Sequence, residues 1–199
     1  MGWYETTDVV TPSHSPIRDA EWLVRLRAGD ETALREIMET HFAPIASLAL
    51  RYVHSRDLAS DVAQDAFIRL WEYRGGLAPD TSIRAYLSRI ARNRAVDMLR
   101  HDAHLERLEQ RVTDEYLTSV SHTRNHGSEN VEQDEFHALV HAVANTLTPR
   151  VREVLLLYYD EQLTPGEIAD VLGVAPKTVY AQLRTALQVY TRALVGRWP

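Results

Sequence analysis

The sequence predicts an all-α protein made of two small helical bundles joined by a flexible acidic linker, and three observations lead to this fold class. Apolar residues recur at the three- and four-residue spacing of helices through most of the 199 residues. No stretch combines alternating β-branched residues with the turn pair of a hairpin. The polar sequence SVSHTRNHGSEN, which has no apolar repeat, separates two helical parts of the chain.

Composition excludes several classes of protein. A hydrophobic content of 45% and a charged content of 25% are ordinary for a globular protein and exclude wholesale disorder. No apolar run approaches the roughly 18 residues that a membrane span needs, and residues 1–16 lack the basic flank and apolar core of a signal peptide. We therefore expect a cytoplasmic protein without membrane insertion. The absence of cysteine excludes disulfides, thiolate zinc sites and a cysteine nucleophile.

The charge of the chain is unevenly distributed. The net charge of −6 argues at first against nucleic-acid binding, which draws on a surplus of Lys and Arg. Counted along the sequence, however, residues 84–111 carry seven Arg against four acids, whereas residues 112–136 carry six acids against Arg124 alone. This segregation is typical of a protein that binds DNA only when a partner holds it close to the DNA. The alternative is that the charged segments are ordinary solvated surfaces.

The first long helix in the front part of the chain is predicted to begin at Glu31. The side chain of Asp30 can accept a hydrogen bond from its first turn, and Leu34 and Ile37 recur at helical spacing. Because proline lacks a backbone N–H, we expect Pro44 to kink or break this helix before Ile45.

Two more front helices follow. The second is predicted from about residue 57 to residue 73, and the glycines and proline of residues 75–79 then indicate a loop. Asp80 or Thr81 is expected to cap a third helix, which reaches about Arg100.

The second front helix carries an acidic ridge opposite its apolar face. The ridge consists of Asp61, Gln64, Asp65 and Glu72. Solvation is the ordinary fate of such a ridge, and its spacing alone favours that interpretation. The alternative is a docking surface for a basic patch on another protein.

The third front helix combines an apolar stripe with a polar face that could hold a nucleic-acid backbone. The stripe consists of Ile83, Leu87, Ile90, Ala91 and Met98. The opposite arc carries Arg89, Arg92, Asn93, Val96 and Arg100, with Asp97 at its edge. Tyr73 and Tyr86 are candidates for stacking on unpaired bases, whereas Trp71 is expected in the core. Arg94 falls on the stripe, where we expect it to snorkel or to be paired.

The most specific motif lies in the rear part of the chain, where interruptions at residues 147–149, 162–165 and 173–176 indicate four helices. The sequence LTPGEIADVLGVAPKTVYAQLRTAL has the spacing of a helix-turn-helix. Thr164 forms a capping box with Glu167. Gly173 then supplies the left-handed turn, and Val179 and Leu183 anchor the second helix to the first.

The outward face of that second helix is expected to read the major groove, because its N-terminal residues lie nearest the bases. This face consists of Lys177, Tyr180, Ala181 and Arg184. Arg184 can fork onto a guanine edge or a phosphate, and Lys177, the only lysine in the chain, suits phosphate. Ala175 stands where Ser or Thr would cap the helix. An ordinary helical hairpin with surface charges is the alternative.

These segments, in this order, resemble the sigma factors of the extracytoplasmic-function (ECF) group of the sigma-70 family. The resemblance covers about residues 20–104 and 136–194. It is carried by DLASDVAQDAFIRLWE, AYLSRIARNRAVDMLR and LTPRVREVLLLYYDEQLTPGEIADVLGVAPKTVYAQLRTAL. It implies an alternative sigma factor that lends RNA polymerase its promoter specificity and has no catalysis of its own.

The resemblance also implies a division of the chain. A mobile tail of residues 1–17 would precede sigma domain 2 at residues 18–104, and a linker of residues 105–134 would lead to sigma domain 4 at residues 135–199. Domain 2 would bind core polymerase and melt the minus-ten element, and domain 4 would read the minus-thirty-five element. An anti-sigma protein is a further possible partner, but no residue identifies one.

The resemblance also implies roles for specific residues, according to their positions in its motifs. Asp61, Gln64 and Asp65 would bind the clamp helices of the largest polymerase subunit. The minus-ten element would be bound by Arg89, Arg92, Asn93, Asp97 and Arg100. The minus-thirty-five element would be bound by Lys177, Thr178, Tyr180, Ala181 and Arg184, in the domain that contacts the flap of the second subunit. Three residues depart from the family pattern, namely Tyr86, Arg94 and Tyr180. These departures affect which bases the protein prefers, and they do not change the class of protein that the resemblance implies.

Two other functions are compatible with parts of the sequence. A stand-alone helix-turn-helix regulator explains residues 163–187 but leaves the arginine face of residues 89–100 without a role. An enzyme with a metal site at His101, Asp102 and His104 is the second alternative, although His residues near a helix end are more often solvated. The chain has no phosphate-binding glycine loop and no nucleophile elbow, so no cofactor or metal is expected.

Overall fold

The computed structural model describes residues 16–109 and 140–195, which form eight α-helices and a short 3-10 helix. The first four helices are α1 (Pro16–Arg27), α2 (Glu31–Val53), α3 (Arg56–Tyr73) and α4 (Ile83–Glu109), with the 3-10 helix at Arg74–Gly76 between α3 and α4. The last four are α5 (residues 140–146), α6 (Pro149–Tyr159), α7 (Pro165–Leu172) and α8 (Pro176–Val195). We call α1–α4 the front bundle and α5–α8 the rear bundle. Residues 1–15 of the predicted tail and residues 110–134 of the predicted linker lie outside the described residues.

Helix α2 begins where the sequence predicts, but it is not broken at Pro44. The side chain of Asp30 accepts a hydrogen bond from the backbone N–H of Thr32 at 2.8 Å, so the predicted cap is confirmed. The helix then continues through Pro44 to Val53. Packing explains this, because Ile45 just beyond the proline is fully buried, and burial on both sides of a proline can offset its cost of about 3 kcal/mol.

Helix α4 is capped by residues that the sequence analysis did not select. The backbone N–H of Ala85 donates to the hydroxyl of Ser82 at 3.3 Å, and that of Ile83 donates to a carboxylate oxygen of Asp19 at 3.1 Å. The expectation that Asp80 or Thr81 caps this helix is therefore wrong, because a buried carboxylate of α1 already accepts from its first turn. The helix also runs beyond the predicted end at about residue 100, to Glu109.

The core of the front bundle follows the predicted apolar rows. Ile83, Leu87 and Ala91 of the α4 stripe are fully buried, and Ile90 and Met98 pack against them half-buried. The next buried position on this face is Ala95 and not Arg94. Arg94 instead lies at the surface, where its Nε contacts a carboxylate oxygen of Asp65 at 3.1 Å, which confirms the expected pairing.

The rear bundle contains the predicted four helices and the helix-turn-helix of α7 and α8. Thr164 and Glu167 form the capping box, with the Thr164 backbone N–H donating to Glu167 at 2.7 Å. Gly173 adopts the left-handed conformation, with φ of 64°, and ends α7. Val179 is fully buried beside Ile168, and Leu183 packs half-buried against the same core, so the predicted anchor is confirmed.

The two bundles also pack against each other, which the sequence analysis did not predict. Helix α4 contacts α7, and Leu48 of α2 is buried in the core of the rear bundle beside Val154 and Leu157. Charged side chains surround this contact. The last turns of α2 and the first half of α4 are therefore shared between the two bundles.

Replacing Thr164 with alanine is expected to lower the free energy of unfolding of the rear bundle by about 1 kcal/mol, because the N–H of Glu167 loses its acceptor. Urea unfolding followed by circular dichroism measures the change. Thr164→Ser retains the capping hydroxyl and serves as the control. Equal unfolding midpoints for the alanine variant and the parent protein would contradict the capping role.

Candidate nucleic-acid interfaces

The predicted reading face lies on the outside of α8. Lys177, Ala181 and Arg184 are exposed and Tyr180 is 58% exposed, whereas Thr178 is half-buried. All five residues lie in the first three turns of the helix. The structure therefore brings this predicted set together on one accessible surface.

The inner side of α8 holds this face in position. Val179 is buried in the core that α8 shares with α6 and α7, and Ala186 is buried farther along the same helix, so the helix cannot rotate without opening the core. As expected, Ala175 supplies no side-chain cap, and the carbonyl of Ala175 accepts the backbone N–H of Thr178 at 2.9 Å. N–H groups at the start of such a helix, together with its dipole, favour a nearby phosphate.

Of the five polar residues predicted on the outer face of α4, four are accessible. Arg89, Asn93, Asp97 and Arg100 are exposed. Arg92 is different, because only 16% of its side chain is exposed and its Nε donates to Glu153 Oε1 of α6 at 2.7 Å. Four residues thus share a surface that could hold a nucleic-acid strand, and the fifth is turned toward the rear bundle.

Aromatic and basic side chains meet at the end of α3 and the start of α4. The guanidinium of Arg74 lies 4.2 Å from the ring centre of Trp71, which packs half-buried against the core as expected. Arg89 lies 5.4 Å from the ring centre of Tyr86. Burial raises the pKa of Tyr86 although Arg89 lowers it in part, so its ring is neutral near pH 7. Tyr73 is 67% exposed, which leaves its ring accessible for stacking.

The acidic ridge of α3 lies on the exposed face of that helix. Asp61 and Gln64 are exposed, and Asp65 is half-exposed beside Arg94. Ile68, which is 55% exposed, lies in the middle of this ridge. Ile68 was not predicted as part of this ridge, although its position outside both apolar rows of α3 was a usable signal.

A network of charged groups crosses the contact between the bundles. Arg51 of α2 donates to Asp160 at 2.5 Å and to Glu161 at 2.6 Å, and Arg84 of α4 approaches Glu161 at 3.5 Å. The side chain of Glu161 is only 1% exposed. A carboxylate that is buried this deeply needs positive partners, and both of these partners come from the front bundle.

A second group of polar side chains lies at the edge of the same contact. Tyr52 donates its hydroxyl to Glu153 Oε1 at 2.6 Å, the same oxygen that accepts from Arg92. Burial, and then the charge of Glu153, raise the pKa of Tyr52 above its ordinary value, so the hydroxyl keeps its proton. Burial lowers the pKa of Arg92, but Glu153 and Tyr52 together outweigh burial, so the pKa lies above its ordinary value.

The pairing of these residues across the contact was not predicted from the sequence, although one signal for it exists. Arg84, Ser88 and Arg92 recur every four residues along α4, and the two arginines of this row contact Glu161 and Glu153 of the rear bundle. A buried arginine and a buried serine beside an apolar stripe indicate that a second partner packs there.

Membrane-spanning helices and metal-binding groups are both absent from the described residues. In residues 16–109 and 140–195, no helix is long and apolar enough to cross a bilayer. Within the same ranges, no group of three or more His, Asp or Glu side chains is arranged to hold a metal ion. Of the residues considered for a metal site, His101 is exposed, and the side chains of Asp102 and His104 lie outside the described part.

Comparison with protein families gives two matches along the chain. Residues 37–104 match the family described as Sigma-70 region 2, and residues 137–188 match Sigma-70, region 4. The chain is 28% identical to the RNA polymerase sigma-H factor of Pseudomonas aeruginosa, over 89% of this chain and 94% of that protein. It is 25% identical to the ECF RNA polymerase sigma factor SigW of Bacillus subtilis, over 85% of this chain and 93% of that protein.

Solved structures share the fold. The chain is similar to the sigma factor RpoE of Bartonella quintana, crystallised with the anti-sigma factor NepR, with a TM-score of 0.59 and 18% identity over 80% of this chain and 95% of that one. It is also similar to CnrH in complex with the cytosolic domain of CnrY, with a TM-score of 0.59 and 21% identity over 90% of this chain and 98% of that one.

Proposed function

Because this chain belongs to the sigma-70 family, as an alternative sigma factor of the ECF type that directs transcription initiation, we propose a role for each of its surfaces. Residues 18–104 bind core RNA polymerase and the minus-ten element, and residues 135–199 bind the minus-thirty-five element. Residues 105–134 link the two domains. The protein acts in the cytoplasm with its polymerase and catalyses no step itself.

The acidic ridge of α3 is the proposed docking surface for the polymerase. Asp61, Gln64 and Asp65 offer two carboxylates and an amide on one helix face, which is suited to the basic residues of the clamp helices. Ile68 adds an exposed apolar side chain at the centre of the same face. Interfaces typically combine such an apolar centre with a polar rim, which supports this assignment.

The exposed face of α4 and the aromatic residues beside it are the proposed site for the melted minus-ten strand. Arg89 and Arg100 are suited to backbone phosphates, and the Asn93 amide can pair with a base edge. Extruding a base from the duplex costs a few kcal/mol, which stacking on Tyr73 can help to offset. Arg92 belongs to this face by position but requires release from Glu153.

The first turns of α8 are the proposed reader of the minus-thirty-five element. The observation that carries this proposal is the exposure of Lys177, Tyr180 and Arg184 on a helix whose inner side is held by Val179. An exposed α8 would equally serve a stand-alone regulator. The sigma region 2 match across residues 37–104 favours the sigma factor, because it accounts for the front bundle as well.

Run-off transcription with core polymerase on a library of genomic fragments tests the proposed function. We expect promoter-specific transcripts only when core polymerase and this protein are both present, together with weak binding of duplex DNA by the protein alone. Tight binding of a duplex operator without polymerase, combined with no transcript, would instead indicate a stand-alone regulator.

Replacing Arg184 with alanine is expected to reduce the preference for the correct minus-thirty-five sequence by about 1–3 kcal/mol, or roughly ten- to a hundredfold, if its guanidinium forks onto guanine. Competitive run-off transcription on matched and mutated promoters measures this preference. Gln188→Ala changes an exposed residue farther along α8 and serves as the control. Unchanged preference in the Arg184 variant would remove that residue from the reader.

An anti-sigma protein is a further proposed partner. The RpoE structure, which has the same fold, is a complex with the anti-sigma factor NepR. Such a partner would act by covering one of the surfaces described above.

A further inference from the structure

The ion pair between Arg94 and Asp65 joins the helix that carries the proposed minus-ten face to the proposed docking ridge. Nε of Arg94, on α4, donates to Oδ2 of Asp65, on α3, at 3.1 Å. Asp65 lies one turn after Asp61 and three residues before Ile68, so these side chains share one face of α3. The guanidinium of Arg94 therefore lies beside the surface that the polymerase is proposed to bind.

This ion pair changes the charge that the ridge presents to a partner. Asp61 and Asp65 are the two carboxylates assigned to the clamp helices, and Arg94 compensates one of them. A basic residue that approaches Asp65 also meets the positive guanidinium of Arg94, and like charges at close range repel each other. Removal of the guanidinium would therefore make the ridge more attractive to a basic surface.

The pair is weak enough to be exchanged for a contact with a partner. Its distance of 3.1 Å is longer than the distance of about 2.7–2.9 Å that is typical of a charge-assisted hydrogen bond. Arg25 and Glu36 show the stronger form, in which two guanidinium nitrogens donate to the two oxygens of one carboxylate at 2.9 and 2.8 Å. The side chains of Arg94 and Asp65 are 45% and 43% exposed, so water already competes for both groups. A partner can therefore bind Asp65 without disturbing the core.

We propose that Arg94 lowers the affinity of this protein for core RNA polymerase, because it pairs with Asp65 in the free protein and must be displaced when a basic residue of the clamp helices takes that carboxylate. This inference rests on the proposed function, since it takes Asp65 as part of the docking ridge. It gives Arg94 a role in polymerase binding, although the residue lies on the helix that carries the minus-ten face. Exposed ion pairs typically change an equilibrium by up to about fivefold, which sets the size of the effect.

Binding of the full chain to immobilised core RNA polymerase tests the proposal. Arg94→Gln removes the charge and keeps a polar side chain, and its dissociation constant is expected to fall about two- to fivefold below that of the parent protein. The gain is expected to be largest at low salt, because exposed charges are screened as the ionic strength rises. Arg94→Lys keeps a positive charge near Asp65 and is expected to tighten binding less than Arg94→Gln does.

Two comparisons separate the release of Asp65 from a general change in charge. In a double-mutant cycle, Arg94→Gln is added to a chain that already carries Asp65→Asn, and there its gain is expected to fall below about 1.5-fold. Arg35→Gln removes the same charge from an exposed position of α2 and is expected to leave the dissociation constant nearly unchanged. Urea unfolding is expected to show nearly equal midpoints for all variants, because the ion pair is half-exposed.

Three results would overturn the role of Arg94. They are unchanged or weaker binding of Arg94→Gln, an equal gain from Arg35→Gln, and a full gain that persists in the presence of Asp65→Asn. Failure of the proposed function gives a different pattern, in which Asp65→Asn alone binds core polymerase as tightly as the parent protein. Weaker binding by Asp65→Asn, combined with no gain from Arg94→Gln, would reject this inference and leave the docking ridge in place.

Discussion

Replacing Asp61 and Asp65 together by lysine is expected to weaken binding to core RNA polymerase at least about a hundredfold, while helix content stays unchanged. The substitutions reverse two charges at the centre of the proposed docking ridge, and like charges across an interface cost several kcal/mol. The fold should tolerate the change because both side chains are at the surface. The lost ion pair with Arg94 is half-exposed and contributes at most about 1 kcal/mol. Binding to immobilised core polymerase measures the effect.

A matched double variant controls for net charge. Glu21→Lys and Glu39→Lys reverse two exposed acids elsewhere in the front bundle and are expected to leave polymerase binding nearly unchanged. If both double variants lost binding equally, the ridge would be only one part of a diffuse electrostatic attraction. Full binding by the Asp61 and Asp65 variant would exclude the ridge as the docking surface.

Replacing Val179 with aspartate is expected to unfold the rear bundle. Val179 is fully buried where α7 and α8 cross, and an unpaired charge there costs on the order of 4 kcal/mol. A bundle of this size has a total stability of only about 3–9 kcal/mol at the usual value per residue. Transcription from promoters that depend on the minus-thirty-five element should therefore disappear, and polymerase binding through the front bundle should persist in weakened form. Urea unfolding and run-off transcription measure the two effects.

The same substitution at an exposed position of α8 separates folding from charge. Gln188→Asp adds a carboxylate to that helix without entering the core, and we expect stability within about 0.5 kcal/mol of the parent protein. Equal loss of transcription in both variants would point to charge repulsion from DNA as the cause.

Local features of the fold could be predicted from the sequence because their physics is local. A cap at Asp30, the box of Thr164 and Glu167, and the turn at Gly173 each depend on residues only a few positions apart. The inner and outer faces of α8 follow from helical periodicity in the same way. The reading face was therefore predictable as a set of exposed residues, although its role in DNA binding remains a prediction.

Features that depend on distant residues could not be predicted. The cap of α4 comes in part from Asp19, which lies 64 positions earlier in the chain. Helix α2 continues through Pro44 because the residues around the proline, such as Ile45, are buried in the core. Local helix propensity carries no information about this packing. Arg92 has the periodicity of a solvent-exposed nucleic-acid contact, and only the partner Glu153, 61 positions later, reveals its pairing.

The shared position of α2 has a consequence for cooperativity. Its middle turns lie in the front core through Ile45 and Ala49, whereas Leu48 on the adjacent side of the same turns lies in the rear core. Unfolding of either core therefore removes part of the packing that holds α2 in the other core. A substitution that destabilises one core is therefore expected to lower the melting temperature of the other core as well.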